Sequence, residues 1–144
     1  MMMTYKFYDT CSLLLKANHL FDEGEDVRVA ISSITLQELE DIKTANNKDA
    51  ETKYSARKVL RTLAENPGAY DVHIFSDSMM HRIVAKGFDH VNNDLRILAC
   101  AVDYDIYKHP DETVFVTNDL ALQAIANCFF GEDSIEAVNE ESLD

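Results

Sequence analysis

The chain has 144 residues, 47% of them hydrophobic and 27% charged, which fits one compact domain with its own core and excludes disorder as the main state. Its 4 Gly and 2 Pro exclude collagen-like and linker classes, and no stretch approaches the ~18 uninterrupted apolar residues of a membrane span. A net charge of −13 argues against wholesale wrapping of nucleic acid.

In chain order, β-rich runs at Thr4–Tyr8, Val27–Ile31, Val72–Phe75 and Thr113–Val116 predict strands. Helical spacing predicts helices over Ser12–Leu20, Thr35–Thr44, Glu51–Glu65, Asn93–Tyr107 and Leu120–Phe129. Asn66-Pro67-Gly68 is a turn that closes the third of these. In residues 78–91, Met79, Met80, Ile83, Val84 and Phe88 share a helical face, and Gly87 argues for a break. A short edge strand over Ile135–Val138 is expected to fray beyond its end. Strands alternating with connections of a dozen residues or more imply a parallel sheet of about five strands covered on both faces, a single three-layer α/β/α domain. That domain is expected over residues 1–131. Residues 132–144, with six acids and no base, read as an acidic tail or the start of a linker.

Cys11, Cys100 and Cys128 are odd in number, widely spaced and without a CxxC pair, so neither a disulfide framework nor a four-cysteine zinc site is expected. They read as small core residues in a reducing cytosol. The start, Met1-Met2-Met3-Thr4-Tyr5-Lys6, has no apolar run with a cleavage site behind it, which agrees with a cytoplasmic protein. His19, His73, His81, His90 and His109 form no ligand spacing.

The charge is uneven. Residues 43–61 hold Lys43, Lys48, Lys53, Arg57, Lys58 and Arg61 against Asp49 and Glu51, a local balance of +4. Lys48, Lys53, Arg57 and Arg61 recur about every four residues. They form either a solvated helix face or a track for phosphates, on which Tyr54 is placed to stack on a base.

In open α/β sheets the site lies outside the carboxyl ends of the strands. The run Phe7-Tyr8-Asp9-Thr10 and the run Val116-Thr117-Asn118-Asp119 both deliver an Asp to that rim. Glu38 and Asp94 stand early in predicted helices. Each acid also has a local reading. Asp9 suits an Asx turn or cap, Asn118 a cap with Asp119 on the helix dipole, and Thr35-x-x-Glu38 a capping box; Asp94 suits a first helical turn after an Asn cap. Taken together, four acids on one rim repel unless a cation neutralises them. All-oxygen ligands point to Mg²⁺ or Mn²⁺ rather than zinc, and a pair of such ions suits phosphodiester hydrolysis. A DxD after the first strand, a GxGxxG and a GxxxxGK[ST] are all absent, which sets aside haloacid-dehalogenase-type, dinucleotide-binding and P-loop readings.

Four segments resemble, in order, the motifs of PIN-domain ribonucleases: Phe7-Tyr8-Asp9-Thr10-Cys11-Ser12-Leu13-Leu14, Ser33-Ile34-Thr35-Leu36-Gln37-Glu38-Leu39, Asn93-Asp94-Leu95-Arg96-Ile97-Leu98-Ala99 and Val116-Thr117-Asn118-Asp119. The resemblance covers about residues 5–130. Within the family, Glu38-Leu39-Glu40-Asp41-Ile42-Lys43 and the basic helix after it look most like the N-terminal PIN domains of PhoH-like ATPases. The resemblance implies that Asp9, Glu38, Asp94 and Asp119 hold one or two Mg²⁺ or Mn²⁺ ions. It further implies that Thr10 and Thr117 orient a carboxylate or a water, and that Asn118 contacts phosphate or caps a helix. It implies hydrolysis of single-stranded RNA by a metal-activated water, leaving a 5′-phosphate and a 3′-hydroxyl, with Lys48, Lys53, Arg57 and Arg61 gripping the strand. Expected partners are RNA, a linked or separate PhoH-like ATPase and further copies of the chain, with no membrane. The alternatives are a non-catalytic PIN-fold regulatory module and a VapC-like toxin with an antitoxin partner. The chain departs from the pattern at Gln123 and Ile125, where basic residues are often found.

Overall fold

The computed structural model describes residues 2–108 and 111–139. Five strands form one parallel sheet: β1 (Thr4–Tyr8), β2 (Val27–Ser32), β3 (Tyr70–His73), β4 (Glu112–Val116) and β5 (Ile135–Glu136), in the order β3-β2-β1-β4-β5. The helices are α1 (Thr10–Leu15), α2 (Ser33–Thr44), α3 (Ala50–Glu65), α4 (Met80–Ala85), α5 (Asn93–Lys108) and α6 (Leu120–Ala126). Among the described residues no helix is long and apolar enough to cross a membrane.

The period of two along each strand sorts the core into two layers. Phe7 pairs in register with Ala30 and Phe115, and all three meet α4, α5 and α6 through Ile83, Leu98 and Ala126. Tyr8, Val29, Ile31, Val114 and Val116 point to the other side, where Leu13, Leu39, Val59 and Leu63 of α1, α2 and α3 cover them. Strands buried on both faces explain the short continuous apolar runs.

Several boundaries move. β3 starts at Tyr70 rather than Val72, because Tyr70 stacks on Phe21 and Asp71 pairs with Arg28 at 2.8 Å, while Ile74 is 67% exposed. The first helix starts at Thr10, where Asp9 caps it, and ends at Leu15, after which turns bring buried Lys16 to Glu23. The break expected near Gly87 is present: α4 ends at Ala85 and Gly87 takes a φ of +95°. The last predicted helix stops at Ala126, and the edge strand at Glu136. Fraying beyond residue 139, and His109, lie outside the described residues. All three cysteines are free, but only Cys100 is buried; Cys11 and Cys128 are exposed, which corrects the core reading for those two. Cys11 is the outward position in a first turn of α1 whose Thr10, Ser12 and Leu13 are buried.

Candidate active site

The chain leaves β1 toward α1 on one face of the sheet and leaves β4 toward α6 on the other. A crevice therefore opens at the carboxyl ends of these neighbouring strands, the switch point where ligands of such sheets bind.

Asp9 stands at the first exit and is 5% exposed. Its Oδ1 accepts the Ser12 N–H at 2.9 Å, capping α1, and its Oδ2 accepts the Thr117 hydroxyl at 2.5 Å. Thr117 also accepts the Asp119 N–H at 3.1 Å, and Asp119 Oδ1 caps α6 through the Leu122 N–H at 3.0 Å. Glu38 lies in the second turn of α2. Thr10 donates to its Oε1 at 2.6 Å and lies 3.1 Å from the Thr35 hydroxyl, while Asn93 reaches its Oε2 at 3.4 Å. Asp94 opens α5 behind a cap by Asn92, whose Oδ1 accepts the Leu95 N–H at 2.8 Å.

The charges of the other three acids bear on Asp94. Partial burial, then the charges of Asp119, Asp9 and Glu38, push the Asp94 carboxyl above its ordinary value. Partial desolvation of the thiol in an otherwise exposed residue, then the charges of Asp9, Asp94 and Glu38, push the Cys11 thiol up, with Lys48 opposing them. Among the described residues none of the four carboxylates is in an ion pair. Uncompensated carboxylates with only oxygen donors fit a hard divalent cation. Among the described residues no group of three or more Asp, Glu, His or Cys side chains stands close enough together to hold one ion. An open rim suits an ion that keeps several waters and takes few carboxylates.

Two local readings are corrected. α2 begins at Ser33 with Ser32 as its cap, so Thr35-x-x-Glu38 is not a capping box and Glu38 is left to Thr10 and Asn93. Asn118 caps nothing: its amide donates to the Val138 carbonyl at 3.1 Å and its Oδ1 accepts the Val138 N–H at 2.7 Å. Asp119 is the cap instead. Gln123 donates to the Thr117 carbonyl at 2.8 Å, so it supports the loop where a basic residue was looked for. The Asn cap expected before Asp94 is Asn92, whereas the contacts of Thr35 with Thr10 and of Asn93 with Glu38 join distant segments and were not read from the sequence.

The basic residues also divide. Lys6, Lys16, Arg28, Lys43, Arg82 and Lys108 all pair with carboxylates. Among the described residues Lys48, Lys53, Arg57, Lys58 and Arg61 pair with none. Ala56, Val59 and Leu63 bury the opposite side of α3.

A comparison with curated proteins found no match. Among solved structures, the chain is similar to a domain of a functionally unknown protein from Methanocaldococcus jannaschii (18% identity, TM-score 0.57, covering 93% of this chain and 89% of that one). It is also similar to VapBC2 from Rickettsia felis bound to a promoter DNA fragment (18%, 0.55, 95% and 100%) and to the toxin-antitoxin member VapBC-5 from Mycobacterium tuberculosis (20%, 0.52, 94% and 98%). At these identities the likeness is one of fold. The PIN-domain profile matches residues 7–129, a span that contains all four acids, the end of β1 and the whole of β4. On that match the chain belongs to the PIN-domain family.

Proposed function

We propose that the protein is a cytoplasmic, metal-dependent endoribonuclease acting on single-stranded RNA. PIN domains are generally nucleases that use divalent metals. The observation that supports the reading is that the charges of Asp119, Asp9 and Glu38, from three other segments, all bear on the Asp94 carboxyl. These four would hold Mg²⁺ or Mn²⁺, which when bound supplies an activated water and neutralises phosphate charge. Thr117 fixes Asp9 and the Asp119 loop, and Thr10 fixes Glu38. Asn118 ties that loop to Val138. Lys48, Lys53, Arg57 and Arg61 form the grip on phosphate, supported by their lack of carboxylate partners.

The finer kinship proposed is with the N-terminal PIN domains of PhoH-like ATPases, which rests on Glu38–Lys43 and the basic helix and makes such an ATPase a partner. The second reading is a VapC-like toxin with an antitoxin, favoured by two similar structures that are VapBC proteins. Expression of a toxin slows growth; a domain that serves an ATPase need not.

The test is cleavage of a labelled single-stranded RNA with Mn²⁺, Mg²⁺ or EDTA, using wild type, Asp9→Asn and Asp119→Asn. Cutting that needs the metal and falls by about a hundredfold or more in both variants supports the reading. Cutting that survives EDTA or both substitutions rejects it.

A further inference from the structure

The crevice continues past the acids into a cavity of about 310 Å³ between the α4–α5 connection and α6. Asp94 and Asp119 form the wall shared with the rim, and Phe88, Leu122 and Ile125 line the apolar part. Asp89 lines it from the connection, and no Lys or Arg lines it. Gly87, at φ +95°, turns the chain just before Phe88. The Phe88 ring is half-buried, held by Phe129 at 6.3 Å between centroids. An apolar cavity with a few polar groups is the usual form of a small-ligand site. Three carboxylates, with the His90 imidazole and no Lys or Arg beside them, make this one hostile to phosphate.

We infer that this cavity seats one nucleobase of the substrate strand, stacked on Phe88, while the neighbouring phosphate lies at the carboxylate rim. The inference rests on the proposed nuclease function, because continuity with that rim names the occupant. A strand that brings its phosphate to Asp94 and Asp119 places an adjacent base within reach of the same two walls. Stacking on an aromatic ring changes affinity about five- to hundredfold. Asp89 offers acceptors only, so the base edge that suits it donates. Guanine offers two adjacent donors to one carboxylate, which selects it over uracil.

The experiment is titration of guanosine, which carries no phosphate, into the full chain in EDTA, followed by backbone amide NMR. Shifts concentrated in residues 87–92 and 120–125 are expected. Phe88→Leu keeps an apolar side chain but loses the ring, and should weaken guanosine at least fivefold. Ala121→Phe, at an exposed lining position, fills the cavity without touching the core and should abolish the shifts. Shifts spread over the molecule or confined to α3, or both variants binding like wild type, overturn the inference. An equal response to N-acetylphenylalanine amide assigns the cavity to a protein partner and overturns it too. Guanosine bound here with no RNA cleavage rejects the nuclease and keeps the base site; cleavage without guanosine binding does the reverse.

Discussion

The Thr117 hydroxyl donates to Asp9 Oδ2 at 2.5 Å, joining residues 108 positions apart, and the same oxygen receives the N–H of Asp119. One side chain therefore sets the spacing of the two acids that leave neighbouring strands. Thr117→Val leaves a buried carboxylate oxygen of Asp9 without its donor, a loss of about 1–3 kcal/mol in urea unfolding. Second-layer contacts of this kind also tune metal ligands, so divalent-ion affinity should drop about ten- to hundredfold. Thr117→Ser should restore both.

Asp94 carries a cost of a different sign. Its folded pKa is raised, so the folded chain holds that proton more tightly than the unfolded chain. Its contribution to stability is complete below the ordinary carboxylate value and is lost as pH rises through the higher folded value. Asp94→Asn should therefore raise the Tm of the protein in EDTA at pH 7 by a few degrees. The same variant should shrink the Tm increase that Mn²⁺ gives the wild type. Thermal melts with and without the ion read both effects.

Asp71 shows the opposite case. Partial burial works against its ionisation, but the Tyr104 hydroxyl at 2.5 Å, Arg28 and Lys108 outweigh this and hold its carboxyl below the ordinary value. The stability it contributes is complete above an unfolded pKa of about 3.9 and drains as pH falls through the lower folded value. Asp71→Asn should cost about 1.5–3 kcal/mol at pH 7 and flatten the acid limb of the stability curve. Urea midpoints from neutral to acid pH check this.

For the basic helix, the prediction concerns salt. Each cation that meets a single-strand phosphate adds about 0.7 to the slope of log affinity against log salt. Arg57→Glu with Arg61→Glu should weaken RNA binding and lower that slope by about 1.4. An unchanged slope would leave α3 as a solvated face.

What the sequence made legible followed from local grammar. Asp9 and Asp119 were readable because each follows an apolar strand directly, and strand ends are where open α/β sheets place chemistry. Glu38 was found, but its environment was not. Ser32, Ser33 and Thr35 all offer capping hydroxyls, and only the end of β2 in the sheet decides that Ser32 is used. Asn118 was misread as a cap because its partner, Val138, lies 20 residues away on the far side of α6. β3 was displaced for the same reason: Tyr70 and Asp71 are held by Phe21 and Arg28, which pattern cannot see. The cavity beside the rim is built from a connection whose apolar spacing read only as an uncertain helix.

The strand order has a consequence in time. β1 is made first, yet it lies between β2 and β4 and pairs with both. During synthesis, Asp9, Glu38 and Asp94 are all made before β4, which carries Thr117 and Asp119 beside them. The N-terminal half can collapse onto β1 and β2 early, because those contacts are nearer in sequence. The acids become a group only when β4 slots along β1. A nascent or truncated chain that stops short of it has most of the acids but lacks Thr117 and Asp119, so the rim is assembled only when the fold is nearly complete.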